Sequence, residues 1–199
     1  LDPNSTNPYQ LTEADRTVIG NTTPKFSGGF GLNATYKGFD MSMFFNFMYD
    51  FDVLNANKIM LTTWADNKEN NFLMNIASDK RWRNFDDMGN EIRYSPEVLA
   101  EFNKNATMWN PTSIGRPICM SYAVEDGSFL RLNSATLGYT LPSVWTKKVG
   151  LSKVRFYVSG NNLFTLTGYS GYDPEVNIAT GLTPNIDYNR YPRSRTYTF

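Results

Sequence analysis

Residues 26–51 read FSGGFGLNATYKGFDMSMFFNFMYDF, and this stretch decides the fold. From 26 to 36, apolar or small residues at even positions alternate with polar or small residues at odd positions, which is the period of a β-strand. Three glycines within this segment disfavour a helix. Lys37-Gly38 then supplies the two-residue connection of a tight hairpin. We therefore predict two antiparallel strands, at 26–36 and 39–51.

The second predicted strand has one apolar face and one mixed face. Its apolar face carries Met41, Met43, Phe45, Phe47 and Tyr49. We expect these odd positions, together with the even positions of the preceding strand, to face lipid. The alternative is that the same side chains form the buried core of a soluble sheet.

Period two returns in three further segments, at 129–141, 154–165 and 195–199. In the first of them, the predicted face consists of Ala135, Leu137, Tyr139 and Leu141, with Asn133 and Arg131 further along. We expect the strand at 195–199 to pair with the strand at 154–165. Because 195–199 is only half a membrane crossing, we also expect the natural protein to continue past Phe199 by about half a strand.

The segments between these strands alternate in length. Residues 37–38 and 142–153 are short connections, whereas 52–128 and 166–194 are long and lack periodicity. Outer-membrane barrels have this alternation, with brief periplasmic turns and long extracellular loops. We therefore predict that both long segments are extracellular loops. Within the first, Ser95-Pro96 is a typical start for a short helix.

Composition excludes several classes of function. Lys+Arg and Asp+Glu balance at 19 each, which argues against nucleic acid as a partner. The chain contains no histidine, so it lacks the usual base of nucleophilic catalysis and the commonest metal ligand. Its single cysteine, Cys119, cannot form an internal disulfide and is expected to be a small buried hydrophobe. We predict a protein that is not an enzyme, without a cofactor or a metal.

Two kinds of all-β fold fit long antiparallel strands: a soluble β-sandwich and a transmembrane β-barrel. The strand lengths match the 9–11 or so residues that cross a bilayer at a tilt. Aromatic residues concentrate at both ends of the strands, as in the aromatic girdles of outer-membrane barrels. We therefore predict the strands of a large antiparallel transmembrane barrel. Four strands and a partial fifth cannot close one, so the chain is predicted to be part of a larger barrel.

Six motifs resemble the SusC/RagA family of TonB-dependent transporters. They are DRTVIGN (15–21), TPKFSGGFG (23–31), VEDGSFLRL (124–132), TLGYTLP (136–142), SGNNLFTLT (159–167) and GYDPEV (171–176). Their order and spacing match the C-terminal end of that family, so residues 1–199 resemble the C-terminal portion of its barrel.

The resemblance implies a location and partners. It implies the last part of a plugged barrel of about 22 strands in the outer membrane of Bacteroidota. It also implies a SusD-like lipoprotein as lid, TonB acting through an upstream region, and oligosaccharides or peptides as substrates. The alternative from another class is a secreted β-sandwich module that binds glycans by itself. A third candidate, an outer-membrane hydrolase, lacks the histidine base such enzymes usually use.

Tryptophans in the first long loop are candidate binding residues. Trp64, Trp82 and Trp109 are suited to stack on sugar rings or to contact the lipoprotein lid. The alternative is that they pack together as the core of the loop.

Acidic residues in both long loops are also candidates. In the second loop, Tyr172, Asp173 and Glu175 are candidate contacts to substrate or partner. The two carboxylates are suited to sugar hydroxyls or to acid–base catalysis, but the pattern favours a turn around Pro174. In the first loop, the stretch from Asp86 to Glu91 offers oxygen ligands for calcium, but it favours a solvated acidic loop.

Overall fold

The computed structural model describes residues 16–63, 73–76, 80–111, 118–176 and 184–199. The chain divides into two compact units. The sheet unit comprises Leu1–Val53, Val124–Glu175 and Pro192–Phe199, and the loop unit comprises Leu54–Ala123 and Val176–Tyr191.

Strands predominate in the described ranges. They are β1 (Phe26–Tyr36), β2 (Phe39–Tyr49), β3 (Asp52–Asn55), β4 (Val124–Asp126), β5 (Phe129–Thr140), β6 (Arg155–Thr167), β7 (Ile186–Asp187) and β8 (Thr196–Thr198). The α-helices are α1 (Ala56–Met60), α2 (Pro96–Asn103) and α3 (Ser143–Thr146), and short 3₁₀ helices lie at Met74–Ile76, Ser121–Ala123 and Lys147–Val149. None of the helices in the described ranges is long and apolar enough to cross a membrane.

The sheet unit is built on one five-stranded sheet in the order β1-β2-β5-β6-β8. Every neighbouring pair in it is antiparallel, so the predicted all-β antiparallel fold is confirmed. The partial last strand, β8, pairs with β6, where Gly160 lies opposite Tyr197. Strand β2 ends at Tyr49, two residues before the predicted end, because Asp50 adopts a left-handed φ of 59°.

The turn between β1 and β2 is set by two residues with positive φ. Lys37 has φ 45° and Gly38 has φ 90°. Positive φ at both central positions is the geometry of the turn whose twist matches that of the flanking strands. A Cβ at residue 38 would also lie 2.9 Å from the carbonyl oxygen of Thr140. Glycine is therefore required there twice, by the backbone angle and by the space.

We expect Gly38→Ala to lower the free energy of unfolding by about 2 kcal/mol, because strain at positive φ adds to the clash with Thr140. Urea unfolding of the full-length protein in phospholipid vesicles measures the change. Gly150→Ala is the matched control, since Gly150 also has positive φ (74°) but nothing lies within 4 Å of its Cβ position. The control should cost about 1 kcal/mol, from the backbone angle alone. Equal costs for both variants would contradict the close approach.

One face of the sheet has no charged side chain in the paired rows of any of its strands. At its centre Phe30 pairs with Phe45, Phe45 with Leu132, and Leu132 with Phe164. The other rows of this face are Gly28-Phe47-Leu130-Leu166, Leu32-Met43-Ala135-Gly160-Tyr197, Ala34-Met41-Leu137-Val158 and Tyr36-Phe39-Tyr139-Phe156. We call it the uncharged face. The last row, beside the hairpin turn, is aromatic in all four strands.

The uncharged face is open to its surroundings. Two residues of this face in different strands, Phe26 in β1 and Phe156 in β6, are 63% and 64% exposed. In a β-sandwich this face would pack against a second sheet and would be buried. An apolar face of this size left uncovered points to a membrane or to a partner.

The opposite face is polar. Asp40 on β2 accepts two hydrogen bonds from Arg155 on β6, with Nε at 3.0 Å from Oδ1 and Nη2 at 2.5 Å from Oδ2. The Arg155 guanidinium passes over Gly138 of the intervening strand, where an added Cβ would clash with it. This paired charge therefore spans three strands, and glycine leaves the room for it.

The predicted face of Arg131 is wrong. Strand β5 contains a bulge at Asn133, since Phe44 pairs with Ser134 and Phe45 with Leu132. One extra residue exchanges the two faces of a strand. Arg131 therefore lies on the polar face, not on the face shared by Ala135 and Leu137.

The loop unit contains short elements where the sequence predicts irregular loop. Strand β7 pairs in parallel with β3, with Leu54 opposite Ile186. Helix α2 begins after Ser95, whose side chain makes no capping hydrogen bond. At the other end of α2, the buried amide of Asn103 accepts from the Arg83 N–H at 2.6 Å and donates to the Arg83 carbonyl at 2.9 Å. This pair of bonds fixes the helix to the segment before it.

Candidate functional site

The sheet unit holds a cluster of two arginines and two carboxylates. Arg131, on the polar face of β5, donates from Nη2 to the Asp173 carboxylate and lies 3.7 Å from Glu175 Oε2. Arg193 Nη2 lies 2.9 Å from Glu175 Oε1, and its Nε lies 3.8 Å from Asp173 Oδ2. We call these four residues the arginine–carboxylate cluster. Its charges balance, and it joins β5, the segment after β6 and the segment before β8.

The inner pair of the cluster is buried. Arg131 is 2% exposed and Asp173 is 8% exposed, whereas the side chains of Glu175 and Arg193 are 26% and 37% exposed. The Arg131 guanidinium also lies over the ring of Phe129, 5.4 Å from its centroid. Ions are buried at this depth only when they are paired, because removing a charge from water is costly. The cluster therefore anchors the chain after β6 to the polar face of the sheet.

Asp173 also builds a local turn. One of its carboxylate oxygens, Oδ1, accepts the backbone N–H of Glu175 at 2.9 Å across the buried Pro174. The turn that the sequence favours over a sugar-binding or catalytic role is therefore present. With an arginine and a backbone donor on one oxygen, Asp173 holds structure and is not positioned for acid–base work.

A second contact holds the same segment. Glu125 accepts hydrogen bonds from Ser170 at 2.9 Å (hydroxyl) and 3.1 Å (backbone N–H). Asp126 accepts the N–H of Ser128 at 2.9 Å, just before β5. These bonds fix the return of the chain to β5 at Phe129.

The loop unit brings two of the candidate tryptophans together. Arg81 and Met108 form a parallel β-bridge, and the backbone N–H of Trp82 donates to the Met108 carbonyl at 2.7 Å. Trp82 and Trp109 follow the bridged residues, so they are neighbours across the pair. Both line a groove of about 360 Å³, together with Ala106, Thr107, Met108 and Asn110. We call it the tryptophan groove.

Both indole N–H groups are already used within the loop unit. Trp109 donates to the Thr62 carbonyl at 3.2 Å and packs edge-on against Tyr122, with ring centroids 5.2 Å apart. Trp82 donates to Asn84 Oδ1 at 3.2 Å and remains 41% exposed. Trp109 is therefore partly loop core, as the alternative expected, while Trp82 presents its ring to the surroundings.

The acidic stretch after Phe85 is a turn. Asp86 accepts hydrogen bonds from the Asn90 amide at 2.9 Å and from the backbone N–H groups of Asn90 and Met88 at 2.8 and 2.9 Å. The described residues contain no group of three or more acidic or cysteine side chains placed to hold a metal. Bonding from Asn90, first through its side chain, holds the pKa of Asp86 below its ordinary value.

This pKa direction predicts how the turn responds to acid. Because the folded pKa is lowered, ionised Asp86 stabilises the turn at neutral pH, and that contribution is lost as pH falls through the folded value. We expect the Met88 and Asn90 amides to exchange hydrogen faster in acid, after correction for the intrinsic rate, in hydrogen-exchange mass spectrometry. Asp87→Asn, whose carboxylate pairs with Arg83, is the control and should leave this response unchanged. A turn that is equally protected after acidification would contradict the prediction.

The remaining residues that the sequence analysis singled out differ in where they lie. Trp64 lies outside the described residues. Tyr172 is 81% exposed, beside the buried Asp173. Cys119 is exposed, which corrects the expectation that it is buried.

Sequence reasoning missed both arginines of the cluster. Arg131 was placed on the other face by the unrecognised bulge, and Arg193 lies in a segment without periodicity. One signal was available for Arg131, since a charge in the middle of an apolar strand requires a partner.

Comparison with known proteins gives relatives over nearly the whole chain, although no family model matches it. The TonB-dependent receptor P3 of Formosa agariphila is 35% identical over 195 residues, covering 95% of this chain and 17% of that protein. The TonB-dependent receptor SusC of Bacteroides thetaiotaomicron is 38% identical over 80 residues, covering 38% of this chain and 7% of that protein. The solved RagAB peptide transporter matches with a TM-score of 0.69 and 26% identity, covering 94% of this chain and 18% of the matched chain. This chain thus spans about a sixth of the length of the first of these relatives.

Proposed function

The chain is homologous to TonB-dependent receptors of the SusC/RagA family, and from this we propose that it forms part of an outer-membrane nutrient importer. The five-stranded sheet is a section of the barrel wall, and the loop unit is a section of the extracellular surface. Its work is selective binding and gated passage, with no covalent step. TonB acts through a region outside this chain.

The uncharged face of the sheet is the observation that carries this proposal. Its rows run through four or five strands without a charge, while the opposite face carries paired charges such as Asp40 with Arg155. Strands β1 and β2 have 11 residues each, the length that crosses a bilayer at a tilt. Lipid outside and a polar lumen inside require this alternation.

The orientation follows from the connections. The two-residue turn at Lys37-Gly38 and the short connection containing α3 lie at one end of the sheet, next to the aromatic row from Tyr36 to Phe156. Short turns are typical of the periplasmic end, and an aromatic girdle marks a membrane interface. The loop unit, which follows β3 at the other end of β2, is then extracellular.

We further propose a SusD-like lipoprotein as the partner of the loop unit and oligosaccharides or peptides as the substrates. The RagAB relative is described as a peptide transporter, and the SusC relative as a TonB-dependent receptor. Two exposed aromatic rings, Trp82 in the loop unit and Tyr172 in the sheet unit, are contact residues of this proposal.

Deleting residues 67–105 tests the role of the loop unit. The deletion falls entirely within that unit, so the sheet unit should still assemble. We expect the full-length variant to remain in the outer membrane and to run as a heat-modifiable barrel on gels, while uptake or recovery of the lipoprotein complex falls. The same uptake assay in a strain that lacks TonB sets the baseline. Unchanged uptake together with unchanged complex recovery would refute the role of the loop.

A further inference from the structure

We propose that the tryptophan groove binds a neutral sugar ring, which assigns the importer an oligosaccharide substrate and therefore rests on the proposed function. The groove is lined by Trp82 and Trp109, and Thr107 is also one of its lining residues. Its volume of about 360 Å³ falls in the range of small-molecule sites, about 300–1,000 Å³. A protein partner would instead need a broad surface of about 800 Å² on each side.

The charge of the lining selects the ligand class. All six lining residues that the structure describes are uncharged. Arg81 precedes Trp82 in the bridged segment but is not one of the lining residues. Arg83 is held by Asp87 and by the ring of Phe102, 5.5 Å from its centroid. An acidic sugar or a charged peptide therefore gains no ionic partner in the groove.

The chemistry of the rings suits a pyranose. Because both indole N–H groups bond within the loop unit, the rings offer apolar surface to a ligand and not donors. A sugar ring has one face of C–H groups that packs on such a surface, and a rim of hydroxyls that the Thr107 hydroxyl can bond. Both rings are held in place before the ligand arrives, which reduces the entropy lost on binding.

The test measures binding of a panel of ligands to the full-length protein in detergent by isothermal titration calorimetry. The panel contains neutral hexasaccharides (linear glucans, mannan, galactan and xylan fragments), an acidic oligogalacturonide and an uncharged octapeptide. We expect a neutral oligosaccharide to bind and Trp82→Ala to weaken it about tenfold, as truncation of a central aromatic contact does. Trp82→Phe should recover part of the loss.

Trp145→Ala is the matched control, because Trp145 is also an exposed tryptophan (60%, against 41% for Trp82) and lies in α3, on the short connection between β5 and β6. It should leave binding unchanged. The inference is overturned if no neutral oligosaccharide binds, if Trp82→Ala binds it as tightly as the unaltered protein, or if only the acidic sugar or the peptide depends on Trp82. The cellular location of the protein distinguishes failure of the proposed function from failure of this inference. Absence of the protein from the outer membrane would refute the proposed function. A membrane-inserted importer whose ligand binding is unchanged by Trp82→Ala would refute only the sugar-binding role of the groove.

Discussion

Replacing Phe45 with arginine is expected to lower the free energy of unfolding by about 2–4 kcal/mol, the cost of an arginine near the bilayer midplane on the lipid face of a barrel. Phe45 lies in the middle of β2, with its ring stacked on Phe30 at 4.9 Å between centroids. Its partners on both sides, Phe30 and Leu132, are apolar, so no neighbouring group in its row pairs with the new charge. Urea unfolding of the full-length protein in phospholipid vesicles measures the loss.

Ser42→Arg separates this effect from the general cost of a large charged side chain. Ser42 lies in the same strand on the polar face, between Asn33 and Thr136. Arginine there reaches the aqueous lumen and should cost little. Spin labels at Met43 and Phe45 give an independent reading of the surroundings. Similar costs for both arginine variants, or labels that report water at Met43 and Phe45, would mean that the uncharged face does not contact lipid.

The hairpin and the uncharged face could be predicted from the sequence because they depend on local order. A period of two fixes which side chains share a face, and Lys37-Gly38 fixes where the chain turns. The structure reproduces that pattern in β1 and β2. It fails in β5 at Asn133, where one unpaired residue exchanges the faces and moves Arg131 to the other side. The amino-acid sequence of residues 129–141 does not predict the bulge, because the position of the bulge depends on the register of β5 with β2 and β6.

The candidate sites were predictable only in part, for a related reason. The turn at Asp173-Pro174-Glu175 is local and could be predicted, but the arginines that complete the cluster come from positions 42 and 20 residues away from Asp173. The neighbouring positions of Trp82 and Trp109 likewise require the bridge between Arg81 and Met108. Contacts between distant segments follow from the folded register, which alternation within one strand does not contain.

We expect Arg131→Met to have the largest effect of any substitution considered, lowering the free energy of unfolding by about 3–5 kcal/mol. Methionine replaces the apolar stem of the arginine but not its guanidinium, so it leaves the carboxylate of Asp173 buried without its nearest cation. The remaining arginine, Arg193, approaches Asp173 only to 3.8 Å, through Nε. A buried ion that loses its partner costs more than the pair contributed.

A double-mutant cycle distinguishes this mechanism from lost packing. Asp173→Asn keeps an oxygen to accept the Glu175 N–H but removes the charge, so combining it with Arg131→Met leaves neither a buried anion nor a buried cation at that contact. The pair Arg193 with Glu175, at 2.9 Å, remains in place. We therefore expect the double variant to be more stable than the sum of the single losses predicts, with a coupling of about 1.5–3 kcal/mol. Additive losses would show that Arg131 acts through its volume and not through its charge.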